Sequence, residues 1–229
     1  MLTIGLVGGM SWESSAEYYR LLNEGAQRRL GGLASAKVVL SSVEFGELTH
    51  LQRKEKWDDV AEILATAADG VEAAGASMLL MCTTAFHIVA DQVAAAVDIP
   101  VLHLADVVAA AVKAQDLESV AFLGTEFSMG RRFFTDRMEA QGLRVLVPDE
   151  RHHATFDRII YEELVHGKVL DTSRRTVVEV INELWDLGAE GVVLGCTELE
   201  MLIKQADSDL PVFPVTTLHV EAALDRALA

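Results

Sequence analysis

Cysteine and proline are scarce in this chain: two cysteines and four prolines among 229 residues. Two cysteines make no disulfide framework, and they suit a reducing, cytoplasmic setting. Few prolines beside 51% hydrophobic residues suit a compact, mostly helical α/β chain. Long apolar runs are missing; none reaches the roughly 18 residues that suggest a membrane span. Met1-Leu2-Thr3-Ile4 leads directly into a strand, so no signal peptide is expected. Basic residues are outnumbered, 19 Lys and Arg against 35 Asp and Glu, for a formal net charge of −16. That balance disfavours nucleic acid and anionic membranes as partners. It leaves room for a small anionic substrate only where local cations meet it. Metal-ligand spacing is lacking, because His152-His153 has no further histidine or cysteine near it in a ligand pattern, so no metal is expected. A dinucleotide fingerprint is also lacking: the start of the chain has Gly5-x-x-Gly8-Gly9, with no third glycine of that pattern in the helix beyond.

What is present is alternation. Short apolar runs at 3–7, 37–43, 78–81 and 99–102 alternate with helical stretches at 13–30, 57–74, 86–96 and 106–115. A loop between 43 and 57 carries Gln52 and Arg53. From Val120 the pattern restarts, with strands at 119–124, 143–147, 192–195 and 210–213. Helices are expected at 153–165, 171–187 and 217–228. Strand–helix alternation implies parallel sheets covered on both faces. The expected architecture is α/β: two similar three-layer domains with mainly parallel sheets, one from 1–100 plus 213–229, the other from 101–212. In such sheets ligands sit beyond the carboxyl ends of the strands. The site is therefore expected in a cleft between the two halves.

One corner occurs twice. Gly75-Ala76-Ser77-Met78-Leu79-Leu80-Met81-Cys82-Thr83-Thr84 runs parallel to Gly188-Ala189-Glu190-Gly191-Val192-Val193-Leu194-Gly195-Cys196-Thr197. Aligned glycine on glycine, Thr83 falls on Cys196 and Cys82 on Gly195. A thiol at the end of a strand and the start of a helix is placed to be stabilised as thiolate by backbone N–H groups. Acid/base groups on two sides of a carbon suit proton removal from one face and return to the other, which needs no cofactor. Cys196 is one such group, and Thr83 or Cys82 is the other. Taken alone, Cys82 reads as a buried small apolar residue, Thr83 and Thr84 as helix caps, and His87 as a packing histidine.

The motifs Gly8-Gly9-Met10-Ser11-Trp12-Glu13-Ser14, Cys82-Thr83-Thr84-Ala85-Phe86-His87 and Gly195-Cys196-Thr197-Glu198, with Gly124-Thr125 and Ile160-Tyr161-Glu162-Glu163-Leu164, are colinear over the whole chain. In this they resemble the aspartate/glutamate racemase superfamily, in particular its aspartate racemases and broad amino-acid racemases that work without pyridoxal phosphate. The resemblance implies two facing α/β domains, catalytic groups at both strand ends, a homodimer, and an amino-acid or dicarboxylate substrate. The middle motif departs from the family's cysteine-asparagine-threonine. Counting back four from His87 puts Thr83 at the reactive position, as the internal repeat does independently. Some relatives carry threonine opposite a single cysteine and are treated as racemases of acidic amino acids with unequal handling of the enantiomers. Substrate contacts are expected from Met10, Ser11, Thr84, Ala85, Thr197 and Glu198 through backbone N–H groups. A second carboxylate calls for Gln52 with Arg53, and for Lys168.

Overall fold

The computed structural model describes residues 1–229. The chain folds into two compact units, Met1–Leu104 with His219–Ala229, and Ala105–Leu218. In the first unit, β1 (Ile4–Gly8), α1 (Trp12–Leu30), β2 (Val38–Ser42), α2 (Phe45–Arg53), α3 (Trp57–Ala73) and β3 (Met78–Met81) follow in order. A 3-10 turn, Ala85–Val89, then runs into α4 (Ala90–Ala94), and α5 (Leu104–Lys113) opens the second unit. The second unit has β4 (Ser119–Leu123), α6 (Glu126–Gly130), α7 (Phe133–Glu139), β5 (Arg144–Leu146), α8 (His153–Arg158) and α9 (Asp171–Asp186). It continues through β6 (Gly191–Leu194), α10 (Thr197–Leu202) and β7 (Val212–Pro214), and α11 (Val215–Leu228) ends the chain. No helix is long and apolar enough to cross a membrane.

Both sheets are parallel throughout. The first has the order β2-β1-β3 and the second β5-β4-β6-β7. The expected strand at 99–102 is reduced to a single parallel bridge between Leu79 and Val101. Pro100 accepts from Leu79 N–H at 2.9 Å but has no N–H of its own to extend a ladder. With that bridge counted, each sheet runs second, first, third, fourth strand. Its reversal of strand order lies between β1 and β3 in one unit and between β4 and β6 in the other, which is where open α/β sheets place ligands.

The duplicated corner is equivalent at the level of individual hydrogen bonds. Ser77 N–H donates to Thr3 O at 2.8 Å, and Glu190 N–H to Ser119 O at 2.9 Å. Leu79 N–H meets Pro100 O at 2.9 Å, and Val192 N–H meets Pro211 O at 2.8 Å. Cys82 N–H meets Val7 O at 2.9 Å, and Gly195 N–H meets Leu123 O at 2.6 Å. Gly75 and Gly188, which open the two copies, both have positive φ, 93° and 97°, where a side chain would be strained. The sequence alignment of Thr83 with Cys196 is therefore also the alignment of the two ladders.

Alternation along the strands divides the first unit's core. Val7, Leu79 and Met81 pack with Val60, Leu64 and Val71 of α3 and with Phe86. Ile4, Leu6, Met78, Leu80 and Cys82 pack on the other face, against Tyr18 and Leu22 of α1 and Val220, Ala223 and Leu224 of α11. Period two makes this unavoidable, since every second side chain turns to the same side. The helix expected at 86–96 is the 3-10 turn and the short α4, and other elements differ from expectation too. The loop holding Gln52 and Arg53 is the helix α2, capped by Glu44, whose carboxylate accepts from Gly46 N–H at 2.8 Å and Glu47 N–H at 2.6 Å. The stretch expected as one helix over 153–165 is α8, a π-helical turn at Ile159–Glu163 and a 3-10 turn at Leu164–His166. β7 extends to Pro214 and pairs with β6, so the second unit runs past the 212/213 division.

His219 is fully buried beside α1. Its Nε2–H donates to Leu102 O at 2.8 Å, because a carbonyl can only accept, and its Nδ1 accepts from the Tyr18 hydroxyl at 2.9 Å. Burial, with His103 nearby, pushes its pKa down to about 4. The unfolded chain, with its histidine near 6.5, therefore takes up a proton before the folded one does. The stability this group contributes is fully present above about pH 6.5 and is lost as pH falls toward 4, by on the order of 3 kcal/mol. Urea unfolding at pH 7 and pH 5 should show a steeper loss for the wild type than for His219→Gln, which keeps a donor and an acceptor but no titration. Equal slopes would show that His219 is not the group responsible.

Candidate active site

In the first unit, β1 ends at a turn that only glycine fits. Gly9 has φ +90°, and a Cβ there would collide with the backbone of Val43. Gly9 N–H donates to Ser15 Oγ at 2.8 Å. Ser11 caps α1, its hydroxyl accepting from Ser14 N–H at 3.2 Å. Met10 is buried in the core beside α3, so it offers the corner its backbone rather than its side chain. At the neighbouring strand end, Thr83 N–H turns back to Met81 O at 2.8 Å. Thr83 is half-buried, and its hydroxyl accepts a long 3.5 Å bond from Phe86 N–H. Thr84 and Ala85, also half-buried, start the 3-10 turn. His87 is buried and accepts from Leu104 N–H at 3.2 Å, which ties the turn to the start of α5.

Cys82 is 0% exposed and shares its face with Met78 and Leu80. Burial pushes its thiol far above the ordinary range. Its position in the ladder is the reason: Cys82 N–H still pairs with β1, so the pleat continues through it and directs its side chain between helices.

In the second unit, Gly195 leaves no room for a side chain. A Cβ would lie 2.5 Å from the Phe122 ring and 2.8 Å from Leu123 O. Cys196 comes next, half-buried, in extended conformation at the start of α10. Thr197 and Glu198 are half-buried beside it. The thiolate expected from the helix start is not what the surroundings favour. Burial and the carboxylates of Glu198 and Glu200 raise the thiol well above its ordinary pKa, against the opposing pull of Leu199 N–H. α10 has only six residues, so few aligned peptide dipoles stand behind that N–H. The sulfur is also within hydrogen-bonding reach of the Glu198 side chain, which favours the protonated form.

A tyrosine to which the sequence assigned no role joins this corner. Tyr161, in the π-helical turn, is 54% exposed. Partial burial of its hydroxyl, and then the charges of Asp157, Cys196 and Glu198, push it up to about 12. Asp157 accepts from Glu126 N–H at 2.8 Å, and burial raises its pKa. Tyr161 lies 35 positions before Cys196, and a π turn has no periodic signature from which to read that proximity. Lys168 is exposed, follows the left-handed Gly167 (φ 71°), and donates its N–H to Glu163 O at 3.0 Å. Gln52 and Arg53 lie in the last turn of α2, at the end remote from β2.

The two corners thus offer different chemistry. One presents a hydroxyl, and the other a protonated thiol with a carboxylate and a phenol beside it. Alkylation by iodoacetamide should be slow for Cys196 at pH 7 and should accelerate up to and beyond pH 9, with Cys82 inert in the folded protein. Glu198→Gln removes the adjacent negative charge and should speed the reaction several-fold at pH 8. Mass spectrometry of the labelled peptides gives both rates; a fast, pH-independent Cys196 would mean that its surroundings stabilise thiolate.

The sequence matches the family model described as Asp/Glu/hydantoin racemase over residues 7–223. Its fold superposes on a Yersinia pestis structure with a provisional Asp/Glu racemase assignment, at TM-score 0.95 and 42% identity, covering 100% of both chains. An aspartate racemase homologue from Pyrococcus horikoshii matches at TM-score 0.91 and 31% identity, again over 100% of both chains. The aspartate racemase of Picrophilus torridus shares the fold, at TM-score 0.78 and 17% identity over 99% of this chain and 94% of that one. By sequence along nearly its full length, and by fold, the chain belongs to the Asp/Glu/hydantoin racemase family.

Proposed function

We propose that this protein is a cofactor-independent racemase of acidic amino acids, in which Cys196 and Thr83 act on opposite faces of the α-carbon. The observation that carries the reading is the equivalence of the two corners. The same ladder bonds that end at Cys82 and Gly195 make Thr83 the counterpart of Cys196, and both side chains are half-buried rather than enclosed. Cys82 is the less suitable second group, because its thiol lies in the core and is a poor acid there.

In this reading one group takes the α-proton and the other returns a proton to the opposite face, so no net proton is consumed. Backbone N–H groups at Ser11, Thr84, Ala85, Thr197 and Glu198 are suited to the α-carboxylate. Lys168, or Gln52 with Arg53, supplies the partner for a second carboxylate. A protonated Cys196 at rest is ready to donate, and must lose its proton to Glu198 or solvent before it can abstract. A threonine hydroxyl is a far weaker acid than a thiol, so the two directions should run at unequal rates.

A single accessible thiol also fits chemistry that needs one protonating or attacking group, such as decarboxylation or cis–trans isomerisation of a small carboxylic acid. Proton–deuterium exchange separates the readings. L-aspartate or L-glutamate in D2O should lose its α-proton signal together with its optical purity; CO2 release or maleate turnover without α-exchange would favour the alternative. Cys196→Ala should lower exchange by at least a hundredfold, within the range ascribed to a general acid–base group, whereas Cys82→Ala should leave most of it. Thr83→Cys should bring the forward and reverse rates closer together. An unchanged ratio would remove Thr83 from the reaction.

A further inference from the structure

Between α8 and α9 the chain makes three tight features in succession: the π-helical turn at Ile159–Glu163, the 3-10 turn at Leu164–His166, and the left-handed Gly167. Few local bonds favour such a path over a continuous helix. What is unusual is its anchor. Glu163 is 7% exposed, and a carboxylate is seldom buried unless it is paired. Its Oε1 pairs with Arg158, and its Oε2 accepts from the Ser173 hydroxyl of α9. Its carbonyl accepts from Lys168 N–H at 3.0 Å, and the Lys168 charge adds to the field on the carboxylate. The side chain thus ties the end of α8 to the start of α9, and the backbone carbonyl of the same residue holds the residue after Gly167. Two positions earlier on the same turn, Tyr161 stands within electrostatic reach of Cys196 and Glu198.

We propose that Glu163 is a positioning residue: it fixes the segment from Tyr161 to Lys168 so that the Lys168 ammonium is held ready for the distal carboxylate of an acidic amino acid beside the Cys196 corner. This rests on the reading of Lys168 given above. Glu163 itself touches no substrate. Its carboxylate is satisfied within the fold, and its neutral isostere would keep the backbone bond to Lys168 while weakening the tie between α8 and α9 that sets the path of the segment.

The test is steady-state racemisation of L-glutamate by the full chain carrying Glu163→Gln, Lys168→Ala, or both. Lys168→Ala should raise KM about tenfold, the scale of one charge-assisted hydrogen bond. Glu163→Gln should raise KM severalfold with kcat within about twofold, and the double variant should be no worse than Lys168→Ala alone, as expected for two residues acting as one unit. Ser173→Ala removes one of the two holds on the carboxylate, leaves the charges in place, and should move KM in the same direction by a smaller factor. It carries the test if Glu163→Gln does not fold. If Lys168→Ala raises KM while Glu163→Gln and Ser173→Ala lower only the melting temperature, Glu163 is structural and the inference falls, although the reading of Lys168 stands. If Lys168→Ala leaves KM unchanged, both fall. Additive effects in the double variant would also overturn it.

Discussion

The parallel pairings β1–β3 and β4–β6 are the constraint on which the rest depends. Each is a ladder with a fixed register, Ile4 on Met78 and Val120 on Gly191. A slip of one residue would exchange the faces of every side chain on the strand. The first sheet is covered on both faces by apolar helices, so such a slip would change both cores at once. The register therefore decides which residue is the last to be directed into the core and which is the first to leave it. In the first unit these are Cys82 and Thr83. In the second, Gly195 fills the equivalent of Cys82 because the Phe122 ring and Leu123 carbonyl leave no space for a side chain. Which residue leaves the core in each corner follows from where the pleat ends.

Electrostatics then distinguishes the corners. The chain is strongly acidic, and its acidity reaches the thiol: Glu198 and Glu200 follow it in α10 and Asp157 lies near Tyr161. Carboxylates so close to a partly buried sulfur outweigh the N–H groups of a helix of only one and a half turns. The cationic character needed for a carboxylate substrate then has to come from particular residues and from backbone N–H groups, not from the general field. An ammonium free to swing into solvent gives little net attraction, so in the proposed reading the path of the segment that carries Lys168 matters as much as its charge.

Much of the architecture is legible in the chain as written. Strand–helix alternation gave two parallel sheets, and the glycine-led repeat gave the equivalence of Thr83 with Cys196 without reference to coordinates. Three local features were not legible, each for a physical reason. The helix α2 is capped by Glu44, a residue type outside the usual capping set, and so reads as loop. Pro100 has the apolar surroundings of a strand residue but cannot donate to a ladder. The π turn at Ile159–Glu163 arises where Arg158 and Ser173 meet Glu163, polar contacts that hydrophobic periodicity does not register.

The sequence by itself determined the fold class, the two corners and the residue that occupies each, because hydrophobic periodicity and glycine positions act over short stretches and are written in order. Only the tertiary structure decided the state of those residues. It turned Cys82 into the core, placed carboxylates and a tyrosine within electrostatic reach of Cys196, and closed the turn before Lys168 with a bond to the Glu163 carbonyl. Burial and charge depend on neighbours distant in sequence, and a thiol's readiness to gain or lose a proton depends on both.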